Sequence, residues 1–289
     1  MKSFTKSITL FITISIFYIS AFIPASTLNK LSQTGADSSK ALKEKYHLGL
    51  SAHRGSSILA PENTLATFKK VLEMGVDYIE IDVRTTKDGQ LAILHDGMLN
   101  RTTNGEGPMK NFTLAELRVL SAGKNYPEQY KEERIPTLQE TTALVAQWNK
   151  THNHQTNLYV DCKDVAPEPL VKELKASKLL KEAVFYGSDD FLLALKKVYP
   201  KAKLMPSLNK SSEIEDKVAK LNPYAFDVRW TILNEQLVAD IHEHKIKVFS
   251  DVLGLLDIPA NYKKAAAMGV DLIQTDHVRK VYKTLLENN

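Results

Sequence analysis

Four short clusters in the first third of the chain carry residue types that can cut a phosphate ester. They are His53-Arg54-Gly55, Pro61-Glu62-Asn63-Thr64, Glu80-Ile81-Asp82 and His95-Asp96. Glu80 and Asp82 stand two apart, so on a strand both project to one side, with Ile79, Ile81 and Val83 on the packed face. Two carboxylates buried together are costly unless a cation joins them. The chain has one cysteine, so oxygen donors and a hard ion, Ca2+ or Mg2+, fit better than a soft metal. Taken alone, the pair is equally a solvated strand face or half of a salt bridge. His53 and His95 each follow a short apolar run, at a strand end. Imidazole takes up and gives back a proton near neutrality, so two of them can serve as base and acid on one ester. A single strand-end histidine is more often a hydrogen-bonded loop residue; two beside a carboxylate pair are not so easily dismissed. Arg54 can grip a phosphate bidentately, or simply make a surface ion pair. Gly55 lets the backbone turn sharply behind it. Asp161 and Lys163 form a third alternating pair, able to add a ligand for the cation and a positive charge for the phosphate. Alone it reads as a buried ion pair.

These residues need strands to aim them. Strands are expected at 48–52, 78–83, 91–94, 158–162, 183–186, 203–207, 225–228 and 247–250, with helical patterns at 138–148, 168–177, 190–198, 212–221, 235–244 and 259–268. Leu65, Phe68 and Leu72 mark one more helix, capped by Asn63 or Thr64 and ended by Gly75. The segment Met74-Gly75-Val76-Asp77-Tyr78-Ile79-Glu80-Ile81-Asp82 is echoed by Met268-Gly269-Val270-Asp271-Leu272-Ile273-Gln274-Thr275-Asp276. The echo supplies a ninth strand and suggests a repeated helix-to-strand unit. Strand–helix alternation predicts an α/β fold, a (β/α)8 TIM-type barrel. Nine strands for eight places leaves one in excess. Lys87-Asp88-Gly89 is too short for a helix, so either the neighbouring strands make a hairpin-like unit or one strand is wrong. Residues 97–136 break the alternation, with scattered Gly and Pro and one short helix near 114–120; they read as a small insertion after the third strand.

The composition sets outer limits. The 289 residues are 43% hydrophobic and 25% charged, a globular balance long enough for a sizeable core. Net charge is +4, or +2 without Lys2 and Lys6, which does not argue for nucleic-acid binding. Cys162, alone, excludes an internal disulfide and a Cys-rich zinc site; inside a strand it is a small apolar filler. Lys2 and Lys6 precede an apolar run over 8–23, then Pro24-Ala25-Ser26-Thr27. That is the order of a secretory signal, assigned to 1–26, or of an uncleaved anchor. Residues 27–45 are polar and are expected to be a tether, with the barrel occupying 46–289. The expected location is periplasmic or extracellular, with membrane contact if the leader stays.

Together the clusters resemble the glycerophosphodiester phosphodiesterases, whose pattern is His-Arg-Gly, Pro-Glu-Asn-Thr, Glu-x-Asp, Phe-His-Asp and later Glu-x-Lys. This chain has His53-Arg54-Gly55, Pro61-Glu62-Asn63-Thr64, Glu80-Ile81-Asp82, Leu94-His95-Asp96 and Asp161-Cys162-Lys163 in that order. Arg101-Thr102-Thr103-Asn104-Gly105, Ile135-Pro136-Thr137-Leu138 and Thr275-Asp276 are similar too, so the likeness runs from about Leu48 to Val281. The resemblance implies a phospholipase-C-like barrel and hydrolysis of glycerophosphodiesters to sn-glycerol 3-phosphate and an alcohol. It implies one Ca2+ or Mg2+ on Glu80, Asp82 and Asp161, with His53 and His95 as the acid/base pair and Arg54 and Lys163 on the phosphate. The family usually has Glu where Asp161 stands, and often Trp where Phe249 stands; Phe249 is expected to line the glycerol pocket.

Two other readings compete. A phospholipase-D-like or inositol-phospholipid-cleaving relative would act on intact lipid; no basic amphipathic docking helix is evident. A noncatalytic glycerophosphodiester-binding protein would keep the fold, but both histidines argue against it. The substrate partner is in every case a small glycerophosphodiester or its lipid; no nucleic acid and no stable protein partner is implied.

Overall fold

The alternation of short apolar runs with amphipathic stretches becomes a parallel barrel. The computed structural model describes residues 25–287, with side chains from residue 35 onward. Its strands are β1 Gly49–Ala52, β2 Tyr78–Thr85, β3 Leu91–Ile93, β4 Asn157–Cys162, β5 Val184–Tyr186, β6 Lys203–Met205, β7 Ser207–Leu208, β8 Ala225–Val228, β9 Lys247–Asp251 and β10 Leu272–Thr275. The helices are α1 Ala25–Tyr46, α2 Leu65–Glu73, α3 Leu114–Leu117, α4 Leu138–Thr151, α5 Pro167–Ala176, α6 Asp189–Val198, α7 Ile214–Leu221, α8 Glu235–Glu243, α9 Pro259–Met268 and α10 Val278–Tyr282.

Parallel neighbours run β6-β5-β4-β2-β1-β10-β9-β8-β7. β6 and β7 are one strand broken at Pro206, which has no N–H to give a ladder. β6 pairs with β5 and β7 with β8, so the broken strand closes the ring and gives eight staves. The Tyr224 N–H donates to the Leu204 carbonyl at 2.8 Å across the closure. The expected TIM-type barrel is therefore present. The ninth strand is β3, which pairs antiparallel with β2 outside the ring (Val83 opposite Ile93). Gly89, at φ +78°, turns that hairpin, and the Gln90 carbonyl accepts from Thr86 N–H.

Side-chain alternation divides the barrel into two cores. Leu50, Ile79, Ile81, Val83, Val160, Phe185, Phe226, Val248 and Ile273 point outward into the layer of helices. Tyr78, Tyr159, Val184, Met205, Ala225, Phe249 and Leu272 point inward and plug the barrel. One pleat further along the same faces come Glu80, Asp161, Tyr186, Asp227, Asp251 and Gln274, so the lumen changes from apolar to polar toward the C-terminal mouth.

Local chemistry sets the helix ends. Thr64, not Asn63, caps α2 by accepting from Thr67 N–H. Thr137 and Glu140 form a capping box on α4. The internal echo is architectural: α2 and α9 both stop at a positive-φ glycine, Gly75 and Gly269, and both feed a barrel strand.

Two expectations need comment. The leader at 1–26 falls almost wholly outside the described residues. Residues 27–45 are not a tether but helix α1, and its second half packs on the barrel. Leu42 is fully buried in the main core, and Ser39 donates to Asp77 Oδ1 at 2.8 Å. A side chain on Gly35 would strike the backbone of Glu73 and Met74, and one on Gly75 that of Gly35 and Ala36, so the two glycines let α1 approach the end of α2. One apolar anchor and a small-residue contact leave little mark in a polar sequence. No helix among the described residues is long and apolar enough to cross a membrane.

Residues 97–136 lie between β3 and α4 and carry their own small core of Leu99, Met109, Leu117, Ala122 and Ile135, with Phe112 and Leu120 beside it. The segment lies over the β1–α2 loop: Tyr126 Oη donates to the Ser57 carbonyl (2.6 Å) and Tyr130 Oη to that of Leu59 (3.1 Å).

Candidate active site at the barrel mouth

β1 delivers His53 to the mouth, and the chain then turns tightly. Arg54, Gly55 and Ser56 all have positive φ (+48°, +76° and +76°), a costly run for two residues with side chains. A side chain at Gly55 would collide with Thr67 and Phe68 of α2. This bend turns the Arg54 N–H onto Glu80 Oε2 (2.8 Å) and its guanidinium onto Glu62 Oε1 (3.0 Å). Arg54 Nε also stands 3.6 Å from Asp82 Oδ2.

β2 and β4 carry the acids. In register, Asp82 lies opposite Asp161 and Glu80 opposite Tyr159. Glu80, Asp82 and Asp161 each offer an oxygen within 4.8 Å of the others. Asn63, at φ +55°, donates from Nδ2 to Asp82 Oδ2 at 2.7 Å. Lys163 Nζ lies 2.5 Å from Asp161 Oδ2 and 3.1 Å from Asp82 Oδ1. Asp82 Oδ1 nevertheless accepts no hydrogen bond of good geometry among the described residues. Burial, then Asp82 and Asp161, push the Glu80 carboxyl well above the ordinary carboxylate range. Burial raises Asp161 as well, although Lys163 opposes it. Burial works against the charge on Lys163, yet Asp82 and Asp161 outweigh it and hold the ammonium protonated. Glu80 thus keeps only a backbone donor, and Asp82 keeps an unsatisfied oxygen. A hard divalent ion fits this donor set, and Glu80, Asp82 and Asp161 are the residues that would hold it.

His95 follows β3, the hairpin strand outside the ring. Its Nδ1 is 2.6 Å from Asp96 Oδ1, and His53 Nδ1 is 3.2 Å from Asp276 Oδ1. A carboxylate on Nδ1 favours the tautomer with hydrogen there and leaves Nε2 free to exchange protons. Both imidazoles lie close to the acids of the mouth: His95 acts electrostatically on Asp161 and His53 on Asp251, in each case lowering the carboxyl.

A line of ion pairs joins the histidine after β3 to the arginine after β1. Arg101 binds Asp96 through Nε (2.7 Å) and Nη2 (2.9 Å), and binds Glu62 at 2.7 and 2.8 Å. Glu62 in turn holds Arg54. Hydrogen bonds from Arg101 hold the Asp96 carboxyl well below its usual range. Burial alone would raise Glu62, but Arg101 and Arg54 reverse it. Arg84, two residues beyond Asp82, donates to the carbonyls of Leu94 (3.1 Å) and His95 (3.0 and 2.6 Å), fixing the loop that carries the imidazole. On the other side, Asp257 accepts from Asp276 N–H at 2.9 Å.

The structure therefore brings together His53, Arg54, Glu80, Asp82, His95, Asp161 and Lys163. It does not bring Phe249. That ring is buried in the apolar plug, edge-on to Tyr78 and Tyr224 with centroids 6.0 and 6.4 Å away. The expectation that Phe249 lines a substrate pocket is corrected by the period of two: Phe249 takes the lower pleat of β9, and Asp251 takes the mouth. Sequence reasoning also passed over Glu62, Asn63, Arg84, Arg101, Asp276, Asp227 and Asp251 as individual residues. Glu62, Asn63, Arg101 and Asp276 stand within clusters already singled out. Arg84 continues the alternation Glu80, Asp82, Arg84. Asp227 and Asp251 are inward positions of strands whose facing had not been fixed.

Comparison with known proteins gives consistent results. The model of the glycerophosphoryl diester phosphodiesterase family matches residues 53–280. A glycerophosphodiester phosphodiesterase of Caldanaerobacter subterraneus subsp. tengcongensis is 33% identical over 228 residues, 78% of this chain and 92% of that protein. Among solved structures, an Oleispira antarctica phosphodiesterase in complex with the product sn-glycerol-3-phosphate superposes with TM-score 0.70 at 28% identity, covering 82% of this chain and 96% of that one. A glycerophosphodiester phosphodiesterase from Agrobacterium tumefaciens, 23% identical, shares the fold with TM-score 0.73 over 81% of this chain and 99% of that one.

Proposed function

Because this chain belongs to the glycerophosphoryl diester phosphodiesterase family, we propose that it hydrolyses glycerophosphodiesters to sn-glycerol 3-phosphate and an alcohol. The observation that carries this reading is the convergence, at one barrel mouth, of three acids, two cationic side chains and two histidines each braced by an aspartate.

In this reading a divalent cation on Glu80, Asp82 and Asp161, when bound, offsets charge that builds on the phosphoryl oxygens. Arg54 and Lys163 bind the phosphate from the adjoining side and keep it in line between the imidazoles. One histidine takes the proton of the attacking oxygen, whether of water or of the neighbouring glycerol hydroxyl, at Nε2. The other returns a proton to the departing alkoxide, so the pair ends each cycle with its protons exchanged. Asp276 and Asp96 hold the two rings in the required tautomer and steady the imidazolium as it forms. The apolar leader followed by small residues supports an exported protein, periplasmic or extracellular.

The test is release of glycerol 3-phosphate from glycerophosphocholine in the presence of Mg2+ or Ca2+. A chelator should abolish it, and His53→Ala or His95→Ala should lower kcat by about 10²–10⁴-fold. Full activity in either variant would remove the paired-histidine assignment.

One observation favours a second reading, action on an intact lipid. The loop after β9 exposes Leu255 (97% accessible) and Ile258 beside the mouth, where an acyl chain or bilayer surface could contact them. Relative rates on lysophospholipid and on the deacylated diester separate the two readings.

A further inference from the structure

A phosphodiester has two arms, and the mouth described so far accounts for the phosphate and one of them. Across the lumen from the acid triad, between β5, β7, β8 and β9, lies a cavity of about 420 Å³. Asp227 and Asp251 line it, with Tyr186, Trp230, Leu253 and Leu256. Arg229 also lines it and is exposed. The cavity is near enough to the reaction centre to share its electrostatics: His53 and Arg54 act on Asp251, Asp161 acts on both aspartates, and Arg229 at the rim partly opposes the rise of Asp227.

The two carboxylates are unequally satisfied. Asp251 accepts one bond, from Gln274 Nε2 at 3.0 Å. The Asp227 carboxylate accepts none and pairs with no cation at contact distance among the described residues. Burial and the neighbouring Asp251 push its carboxyl well above the ordinary range. Such a pair is costly to the fold and does nothing for the ring of strands, whose ladders are complete without it. A cation entering the cavity would relieve both repulsion and desolvation. The walls narrow the chemistry further. Carboxylates beside an indole, a phenol and two leucines suit an ammonium carrying methyl or methylene groups. Ser207, Asn209, Arg229 and Thr231 in the same wall offer donors that a neutral polyol could use, so the preference for a cation rests on the two poorly satisfied carboxylates.

We propose that this cavity is the subsite for the leaving alcohol, and that Asp227 and Asp251 select substrates whose headgroup is a cationic amino alcohol of the choline or ethanolamine type. The inference rests on the proposed hydrolytic reading. The glycerol arm lies on the triad side and the headgroup on the Asp227 side, with the phosphate between Arg54 and Lys163.

The experiment compares kcat/KM for glycerophosphocholine and glycerophosphoglycerol in wild type, Asp227→Asn and Asp251→Asn, each with saturating divalent cation. The choline-to-glycerol preference should fall about tenfold in Asp227→Asn, mostly through KM, and less in Asp251→Asn. An unchanged ratio, or a parallel loss on both substrates, overturns the proposal. Calorimetric titration of wild type with tetramethylammonium requires neither turnover nor a variant. Saturable binding that weakens in Asp227→Asn supports the subsite, and no heat of binding by wild type overturns it. If wild type hydrolyses neither diester, the hydrolytic reading fails, and the titration still decides whether the cavity accepts a quaternary ammonium.

Discussion

The two ends of the barrel use the same side chain in opposite ways. At the N-terminal end, Asp77 and Asp271 occupy matching places in the internal echo, each just before a strand. Asp77 accepts the Leu50 N–H (2.9 Å), the Ser39 hydroxyl (2.8 Å) and the Lys43 ammonium (2.5 Å). Asp271 accepts the Val248 N–H (2.8 Å), His242 (2.8 Å) and Lys247 (3.4 Å). Each carboxylate ties its own strand to the strand beside it and is saturated. At the C-terminal end, Glu80 holds one backbone N–H and Asp227 holds none. Carboxylates that lock the ring are satisfied by protein; Glu80 and Asp227 at the mouth are left short of partners. Stability is concentrated at one end and reactivity at the other, as barrel architecture permits.

Changing one acid at each end should separate those roles. The largest effect is expected from Glu80→Gln. Removing an oxygen proposed to hold the cation should cost several kcal/mol of transition-state stabilisation, roughly a hundred- to thousandfold in kcat/KM. The same change should raise the melting temperature measured in chelator, because it removes a buried charge from among like charges. A variant that loses activity and also melts lower would mean that Glu80 supports the fold, and the contrast between the ends would be lost. Asp77→Ala should do the reverse. Stripping the acceptor from a buried N–H should cost about 1–3 kcal/mol of stability. Folded protein should keep wild-type kcat/KM, and denaturant titration with an assay on the same sample checks both.

Arg101→Ala tests the ion-pair line that steadies His95 from the insertion. A loss near tenfold in kcat with a displaced pH profile is expected, and Arg101→Lys should recover only part of it, because a single ammonium cannot span Asp96 and Glu62 as the fork does. A pH profile identical to wild type would reduce Arg101 to a surface contact. The smallest effect is on stability against pH without cation. Glu80 and Asp227 have folded-state values raised above the ordinary 4.5 and 3.8. Their contribution is therefore fully present below those ordinary values and is lost as pH rises through the raised ones. The melting temperature in chelator should decline over that window. Added Mg2+ or Ca2+ should raise it more at higher pH, where the acids are already ionised. A cation effect independent of pH would argue that the ion binds elsewhere.

Much of the site could be read from the chain because its chemistry is local. His53, Glu80, Asp82 and His95 follow from where strands end and from the alternation of side chains. Asp161 and Lys163 follow by the same rule once β4 is placed. Phe249 shows where that rule stops. The alternation says that Phe249 and Asp251 share a face, but not which of them reaches the mouth; the register of β9 against β8 and β10 decides that. Helix α1 fails for another reason. Its docking rests on Leu42, Ser39, Lys43, Tyr46 and a close glycine pair, a mostly polar and scattered set that imposes no apolar periodicity on the segment.

The sequence by itself determined the kinds of chemistry available, the order of strands and helices, and which residues share a strand face, since side-chain period and turn propensity act over a few residues. Only the tertiary structure decided that the strand broken at Pro206 closes the ring, that β3 stands outside it, that Arg101 reaches Glu62 from 39 residues away, and that Asp227 faces an open cavity. Those outcomes depend on stagger between strands and on where distant loops meet. That information belongs to contacts between segments, and no single segment carries it.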